Sequence, residues 1–434
     1  MTSRLALARR SRLRSGYRLN RHRIVATQML DVQFVLPFPA PIADRFARAV
    51  AALPGVRFGL ISQEPIERLS PEIRRHVAGH WQVGSCFDPE QLAQGVAGLG
   101  KRLGRPDRLL GVLEQLQEPL GAVRDALGIP GMSHAVAANF RDKARMKTVL
   151  RDAGVPCARH ALAEDAAAVW SLAQVAGFPL VVKPPAGAGA KATFRLDSAE
   201  QLREALASDP PGRGRPWMVE EFIVGDEQSF DTVSIGGRPV WHSLTHYLPT
   251  PLEALRQPWI QWCVVLPREV DEPRYDDIRA AAFASLDALG MQTGFSHMEW
   301  FRRNDGSVAI SEVGARPPGA QITRLMCYAH DFDFYDSWAR LMVFETFTPP
   351  ARKYAAGAAF LRGQGNGRVV AVHGLERAQK EMGHLVVESN LPKKGQPRSS
   401  SYEGEGNIIV RHPETRVVVE ALKRLITAVR VEVA

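Results

Sequence analysis

The stretch that decides the fold is FSHMEWFRRNDGSVAISEVGARPPG, which runs from Phe295 to Gly319. Two runs of strand-forming residues flank Asp305-Gly306, a pair typical of a two-residue β-turn because both positions take a positive φ. With such a turn, cross-strand pairing puts Glu299 directly opposite Glu312. The stretch therefore predicts a hairpin with two opposed carboxylates.

Opposed residues of an antiparallel pair point to the same face, with Cβ atoms about 5 Å apart, and two like charges placed this way repel. A cation between them would remove the repulsion, and magnesium is commonly held by one or two protein carboxylates plus substrate phosphates. The alternative is a pair of solvated glutamates on an exposed face. Strand alternation places four further residues on the same face: His297, which we interpret as structural, Ile310, Gly314 and Arg316.

The composition is that of a globular protein of two or three domains. The chain has 434 residues, of which 45% are hydrophobic and 23% charged. No apolar run reaches the roughly 18 residues of a membrane span. The four cysteines are scattered without metal-ligand spacing, which suits a reducing compartment, and we expect a cytoplasmic location.

The positive charge is concentrated at the N-terminus. Residues 1–23 hold eight arginines and no acid, so removing them reduces the net charge from +9 to +1. We interpret residues 1–28 as a basic, disordered leader and do not expect nucleic acid as a partner. The alternatives are a tail that binds nucleic acid or a membrane surface through phosphates, and a transit peptide.

The remainder divides into three parts. Residues 29–138 alternate strands and helices, which predicts a parallel α/β domain, and they lack the GxGxxG loop of dinucleotide-binding folds. Residues 139–346 carry the chemical motifs. Residues 347–434 read as several strands closed by a helix, a small C-terminal α+β module.

A lysine-flanked small-residue loop follows in the central part, in FPLVVKPPAGAGAKATF, residues 178–194. Lys183 ends a buried strand, Gly187 and Gly189 leave room for the backbone to close over phosphate, and Lys191 stands beyond them. Consecutive N–H groups in such a loop can bind an anion. The alternative is a flexible connection.

Two adjacent glutamates occur in WMVEEFIVGDEQSFDTVSI, residues 217–235. One of Glu220 and Glu221 must face inward from a strand, and an unpaired buried charge is strongly unfavourable. Donors of a bound ligand or an internal lysine or arginine would satisfy it, and the sequence leaves both open.

These motifs, in this order, resemble the ATP-grasp superfamily, in particular its biotin-carboxylase-like branch with carboxylate–amine ligases and L-amino acid ligases. The resemblance covers about residues 139–325, and the three-part layout covers nearly the whole chain. It implies an N-terminal parallel α/β domain, a central ATP-grasp domain with antiparallel sheets, and the C-terminal α+β module.

The resemblance also implies roles in ATP binding. Lys143, in DKARMKTVLRDAGVP, and Lys183 would contact the phosphates, and the loop with Gly187, Gly189 and Lys191 would close over them. The adenine would be held through the backbone of four consecutive residues, Glu220, Glu221, Phe222 and Ile223. The side chain of Glu227 would hold the ribose hydroxyls.

Glu299 and Glu312 match the magnesium carboxylates, with Mn²⁺ able to substitute for Mg²⁺. Arg316 matches the arginine that, with Lys183, stabilises charge on the transferring phosphoryl group. Much of the family has an asparagine two residues after the second glutamate as a further ligand, whereas this chain has Gly314. That departure puts a second metal ion in doubt.

The function implied is ATP-dependent ligation of a small carboxylate to an amine through an acyl phosphate, with release of ADP and phosphate. The alternatives are ATP-dependent carboxylation of the biotin carboxylase type and a non-catalytic ATP-binding regulatory protein. The oligomeric state is left open, with a homodimer as the candidate.

Overall fold

The computed structural model describes residues 29–183, 194–257 and 260–434. The predicted leader, residues 1–28, lies outside these ranges. In them, no helix combines the length and the apolar character that crossing a bilayer requires.

The N-terminal part is a parallel sheet with helices on both faces, as predicted. The four strands lie in the order β3-β2-β1-β4, and each neighbouring pair in the sheet is parallel, with helices in the connections. The elements are β1 Leu30–Val35, α1 Pro41–Ala51, β2 Val56–Ser62, α2 Pro71–Arg74, β3 Val77–Gln82, α3 Pro89–Leu103, β4 Arg108–Leu110, α4 Gln117–Leu127 and α5 His134–Arg141, with short 3-10 turns at Ile66–Arg68 and Glu114–Leu116.

A smaller four-stranded antiparallel sheet follows, in the order β5-β8-β6-β7, and packs its apolar face against α7. The elements of this part are α6 Lys143–Asp152, β5 His160–Ala163, α7 Ala166–Ala176, β6 Leu180–Lys183, β7 Phe194–Leu196, α8 Ala199–Ser208 and β8 Trp217–Glu221. Helix α6 begins at Lys143 because Asp142 caps it, accepting from the N–H groups of Ala144 and Arg145 at 2.9 and 3.0 Å.

The largest sheet has eight strands, all antiparallel, in the order β13-β12-β9-β10-β11-β14-β17-β16. Its central elements are β9 Gly225–Ile235, β10 Arg238–Leu248, α9 Pro251–Arg256, β11 Trp262–Leu266, a 3-10 turn Pro273–Tyr275, α10 Asp276–Leu289, β12 Gly294–Arg303, β13 Val308–Gly314, α11 Ile322–His330 and α12 Phe334–Phe344. Its C-terminal elements and their neighbours are β14 Ala355–Leu361, β15 Val369–His373, α13 Leu375–Met382, a 3-10 turn Gly383–Leu385, β16 Val386–Asn390, β17 Gly406–His412, α14 Thr415–Ala428 and β18 Arg430–Val433.

The C-terminal module thus continues the central sheet, because all five residues of β11 pair with residues of β14. The predicted mixture of strands and a closing helix is confirmed. The N-terminal part joins the same body through α1 and α12, where Phe46 packs against Tyr335 and Trp338 with ring centroids 4.8 and 4.9 Å apart. One apolar core therefore spans all three parts of the chain.

Candidate active site

Glu299 and Glu312 pair directly across the β12–β13 hairpin, as predicted. Beyond them the register shifts by one residue, because Ser311 bulges and Ile310 pairs with Trp300. Ile310 therefore shares the buried core face with Trp300, and neither has exposed surface. Its predicted position beside the glutamates is wrong.

The turn of this hairpin is one residue longer than predicted. The Arg303 N–H donates to the Ser307 carbonyl at 2.9 Å, and within the intervening turn only Gly306 has a positive φ, +85°. The two-residue turn is therefore wrong. The extra turn residue and the extra residue at the bulge cancel, which keeps the two glutamates in register.

The remaining residues predicted for this face lie where alternation puts them. His297 pairs with Gly314 across the hairpin, and both line a cavity together with Arg316. Glu227 of β9 also lines it. We call the surface formed by Glu227, Glu299 and Glu312 the carboxylate face.

Lys143 contacts this face from the start of α6. Its Nζ lies 2.5 Å from Glu312 Oε1, and both side chains are largely shielded from solvent. Burial opposes ionisation of Glu312, but the charges of Lys143 and then Lys183 outweigh it and lower the pKa of Glu312 to about 2. Glu312 is therefore an anion that a cationic partner stabilises.

The pKa values of Glu299 and Glu227, the other two members of the carboxylate face, are shifted in the opposite direction. Burial and then the negative charge of Glu312 raise the pKa of Glu299, and burial and then Glu299 raise the pKa of Glu227 well above its ordinary value. A divalent cation between Glu299 and Glu312 would relieve this repulsion, and carboxylate oxygens are ligands that Mg²⁺ prefers. The donor set therefore fits the predicted ion.

Within the described ranges, no three His, Cys, Asp or Glu side chains are grouped so that they could hold a metal. Two protein carboxylates would therefore hold the ion together with phosphate or water oxygens, as is common for magnesium. Both the ion and the roles of Glu299 and Glu312 as its ligands stay predictions.

Glu220 is the inward member of the adjacent glutamate pair, 5% exposed. Its two oxygens lie 2.9 Å from Lys183 Nζ and 3.3 Å from Lys147 Nζ. Burial opposes ionisation, but Lys147 and Lys183 together lower the pKa of Glu220. Of the two partners that the sequence left open, the structure shows internal lysines.

Lys147 was not singled out by the sequence analysis, although it is fully buried. It lies one helical turn after Lys143 on α6, and the i, i+4 spacing that places both lysines on one face was the available signal. Burial lowers the pKa of Lys147, against the raising effect of Glu220.

Phe222, Ile223 and Glu227, three of the residues predicted to hold the nucleoside, line a second cavity. Leu252 and Glu227 belong to the walls of both cavities, so the two adjoin. The guanidinium of Arg195 lies over the Phe222 ring, 4.1 Å from its centroid, at one wall of the second cavity.

Part of the backbone predicted to hold adenine is already engaged. The Glu221 N–H donates to the Arg159 carbonyl at 2.9 Å, and the Phe222 N–H donates to the Pro179 carbonyl at 3.0 Å. Among the described residues, the Ile223 N–H has no backbone acceptor. Of these three backbone N–H groups, that of Ile223 therefore remains available for the predicted contact with adenine, together with nearby backbone carbonyls.

Arg316 is held by a residue that the sequence analysis missed. Glu114, in the turn after β4, accepts from Arg316 Nε at 2.5 Å and is 7% exposed. A Cβ at Gly314 would lie 3.1 Å from the same carboxylate, which therefore fills the space beside the glycine. The signal was the position of Glu114 beyond the carboxyl end of a parallel strand, where open α/β sheets bind ligands.

His297 has a buried partner, which agrees with its interpretation as structural. Its Nδ1 lies 2.7 Å from Asp231, which is 2% exposed and also accepts from the Ser229 hydroxyl at 3.3 Å. Its Nε2 lies 4.0 Å from Glu299. The ring is thereby fixed at the edge of the carboxylate face.

Gly187, Gly189 and Lys191, the residues of the predicted phosphate loop, lie outside the described residues. Lys183, at the end of β6, is the last described residue before them. Their predicted role stays a prediction.

The parallel N-terminal sheet, the long antiparallel sheet and the lysine–carboxylate cavity are together consistent with the three-part ATP-grasp architecture. Residues 148–329 match the family model described as the ATP-grasp domain. This part of the chain is thus an ATP-grasp domain, as the motifs predict.

Among curated proteins, the chain is similar to an L-arginine-specific L-amino acid ligase of Bacillus subtilis. The two are 24% identical over 249 residues, which are 56% of this chain and 59% of the relative. The chain spans a little under three fifths of the length of this relative and of an uncharacterized protein of Sinorhizobium fredii.

Solved structures share the fold over almost the whole chain. An L-amino acid ligase from Bacillus licheniformis is 19% identical with a TM-score of 0.71, over 93% of this chain and 99% of that one. An N5-carboxyaminoimidazole synthetase from Staphylococcus aureus complexed with ADP is 12% identical with a TM-score of 0.66, over 92% and 97%. The three-part architecture is thereby confirmed.

Proposed function

We propose that this chain is an ATP-dependent carboxylate–amine ligase that forms an amide or peptide-like bond and thus belongs to the carbon–nitrogen ligases. One observation carries the proposal: Glu299, Glu312 and Arg316 line one cavity, where Lys143 pairs with Glu312, and this cavity adjoins a second cavity at the predicted adenine hinge. An ATP lying across both would present its γ-phosphate to the carboxylate face.

In the first step, an oxygen of the substrate carboxylate attacks the γ-phosphorus of ATP. The bond between this phosphorus and the bridging oxygen breaks, ADP leaves, and an acyl phosphate forms. Bound Mg²⁺ would supply neutralisation of phosphate charge. The protein's own contribution is positioning and positive charge, from Lys143, Lys183 and Arg316.

In the second step, the nitrogen lone pair of an amine attacks the acyl carbon. The bond from that carbon to the phosphate oxygen breaks, inorganic phosphate leaves, and the amine loses a proton to solvent. Burial lowers the pKa of Arg316, but its pairing with Glu114 and the charges of Glu312 and Glu299 raise it overall, so the guanidinium stays charged throughout. No covalent protein nucleophile takes part.

The cavity favours an organic acid over bicarbonate as the activated carboxylate. Besides its charged side chains, the cavity is lined by Tyr247, Leu252, Trp262 and Ile322, whose aliphatic and ring surfaces offer bicarbonate no polar partner. Carboxylation is therefore the second candidate, supported by the fold shared with the Staphylococcus aureus synthetase.

The test is a screen of paired carboxylates and amines, including all L-amino acids, for release of ADP and phosphate with mass-spectrometric detection of the condensed product. We expect ADP and product in equal amounts, and only when both an acid and an amine are present. ADP release that requires bicarbonate instead would favour carboxylation. No ADP release with any pair would favour a regulatory ATP-binding protein.

A further inference from the structure

The cavity at the carboxylate face has two unlike walls. One carries the charged side chains already described. The other, which we call the apolar wall, consists of aromatic and aliphatic side chains from five different segments: Tyr247, Leu252, Trp262, Ile322 and Tyr402. The nucleoside end of ATP is assigned to the other cavity, which of these residues only Leu252 lines, so the rest of the wall is available to whatever binds beyond the γ-phosphate.

Trp262 is the fixed centre of the apolar wall. It is 1% exposed, its ring stacks on Phe360 with centroids 4.8 Å apart and an interplanar angle of 26°, and its Nε1 donates to the Pro249 carbonyl at 3.0 Å. The Tyr402 ring meets it edge-on at 4.6 Å and 67°. Such packed aromatic pairs are rigid, apolar surfaces.

Tyr402 comes from the C-terminal module, on the polar loop between β16 and β17. This loop is held by the buried carboxylate of Glu405, which accepts from the N–H groups of Gly363 and Ser399 at 2.6 and 2.7 Å. The side-chain amide of Gln396 donates to the Glu405 carbonyl at 2.9 Å. Tyr402 is thus positioned before any ligand binds.

The hydroxyl edge of the wall stays neutral at ordinary pH. Burial, then the charges of Glu403 and Glu299, raise the pKa of Tyr402. Burial, then Glu299 and Asp231, raise the pKa of Tyr247 well above its ordinary value. A ligand at this wall therefore meets uncharged ring faces.

We propose that the apolar wall is the side-chain pocket of the acid substrate, that this acid carries an aliphatic or aromatic group, and that Tyr402 is a specificity-determining residue. The inference rests on the proposed ligase function. A carboxylate placed at Arg316 and the carboxylate face would direct the rest of the molecule at this wall. A polar side chain there would lose its hydrogen bonds to water without replacement.

Hydroxylamine makes the acid preference measurable without the native amine, because it attacks the acyl phosphate and gives a hydroxamate, phosphate and a proton. The acids are L-leucine and L-phenylalanine, compared with glycine, L-aspartate and L-lysine, each with MgATP. We expect kcat/KM for the two apolar acids to exceed that for the other three by about ten- to a hundredfold. Equal values, or a preference for the charged acids, would overturn the proposal.

Tyr402→Ala and its matched control Tyr402→Phe locate the effect. We expect Tyr402→Ala to raise KM for the apolar acids about tenfold and to leave KM for glycine and ATP unchanged. Tyr402→Phe keeps the ring and should resemble the unaltered chain. An unaltered acid profile in Tyr402→Ala would remove Tyr402 from the pocket, and the acid series tests the wall independently of whether this variant folds.

Calorimetry separates a failure of this inference from a failure of the proposed function. The same acids are titrated into the chain loaded with Mg²⁺ and a non-hydrolysable ATP analogue. Preferential binding of the apolar acids without any hydroxamate would support the pocket and contradict the ligase. Hydroxamate formation from every acid at equal rates would support the ligase and contradict the pocket.

Discussion

Two lysine–carboxylate groups flank the proposed phosphate site and differ in their access to it. In one, Lys143 contacts Glu312 at 2.5 Å, and 27% of the Glu312 side chain remains exposed to the cavity. In the other, Glu220 lies between Lys147 and Lys183 with 7% of its side chain exposed. Glu312 can exchange Lys143 for a ligand, whereas Glu220 and Lys147 are sealed between α6 and the strands β6 and β8, and Lys183, with 11% of its side chain exposed, lies between this sealed contact and the proposed phosphate site. Ion pairs of 2.5 to 3.3 Å thus accompany unequal roles, and exposure separates them.

The largest effect is expected from breaking the sealed group. Glu220→Gln leaves Lys147 and Lys183 without their shared anion, and removing one partner of a buried ion pair lowers the free energy of unfolding by about 3–5 kcal/mol. Urea denaturation followed by circular dichroism measures it. A loss below about 1 kcal/mol would mean that the group is not a sealed structural contact.

Breaking the exposed group should act on turnover. Glu312→Gln removes a predicted magnesium ligand from the cavity, and we expect ADP release to fall about 10²–10³-fold. Steady-state ADP release measures it, and urea denaturation of the same preparation shows that the variant is folded in the assay. Unaltered ADP release would exclude Glu312 as a metal ligand.

The free energy of unfolding should depend on pH differently in the unaltered chain and in Glu312→Gln. Its pKa of about 2 in the folded chain lies below its ordinary value of 4.5, so the unfolded chain binds more protons between these limits. The stabilisation by Glu312 is present above about pH 5 and is lost as the pH falls towards 2, with a slope of at most about 1.4 kcal/mol per pH unit. Glu312→Gln should therefore lose stability less steeply between about pH 6 and about pH 3. Parallel slopes in urea titrations of the two chains would contradict the shift.

The smallest change in the free energy of unfolding is expected for a substitution of Glu221, the neighbour of Glu220. Glu221 contacts Arg303 at 2.8 Å and Arg159 at 3.1 Å, and these arginines keep 33% and 57% of their side chains exposed. Because the partners remain hydrated, Glu221→Gln should change the free energy of unfolding by less than about 1 kcal/mol. A loss comparable to that of Glu220→Gln in the same urea titration would show that the contrast between adjacent glutamates is false.

The pairing of two carboxylates across the β12–β13 hairpin was predictable because it depends on local geometry. Strand alternation and a short hairpin place Glu299 opposite Glu312, and two irregularities unseen in the sequence happen to cancel. Ile310 was misplaced because a single bulged residue reverses the face of every residue between it and the turn.

Residues brought in by tertiary packing were not predictable in this way. Glu114 precedes Arg316 by 202 positions and reaches it from another domain. Tyr402 reaches Trp262 from a polar loop between β16 and β17, and the composition of that loop does not mark its aromatic ring as packed. The sequence correctly limited the partner of Glu220 to the donors of a ligand or an internal lysine or arginine. Choosing between them required knowing that α6 packs against the smaller sheet.

The continuity of the eight-stranded sheet limits how the chain can be shortened. Strand β11 pairs with β10 on one side and with β14 on the other, and all five of its residues are buried. A chain that ended before Ala355 would turn β11 into an open, apolar edge, which is a template for intermolecular strand pairing and aggregation. The C-terminal module thus serves as edge protection for the sheet that carries the carboxylates.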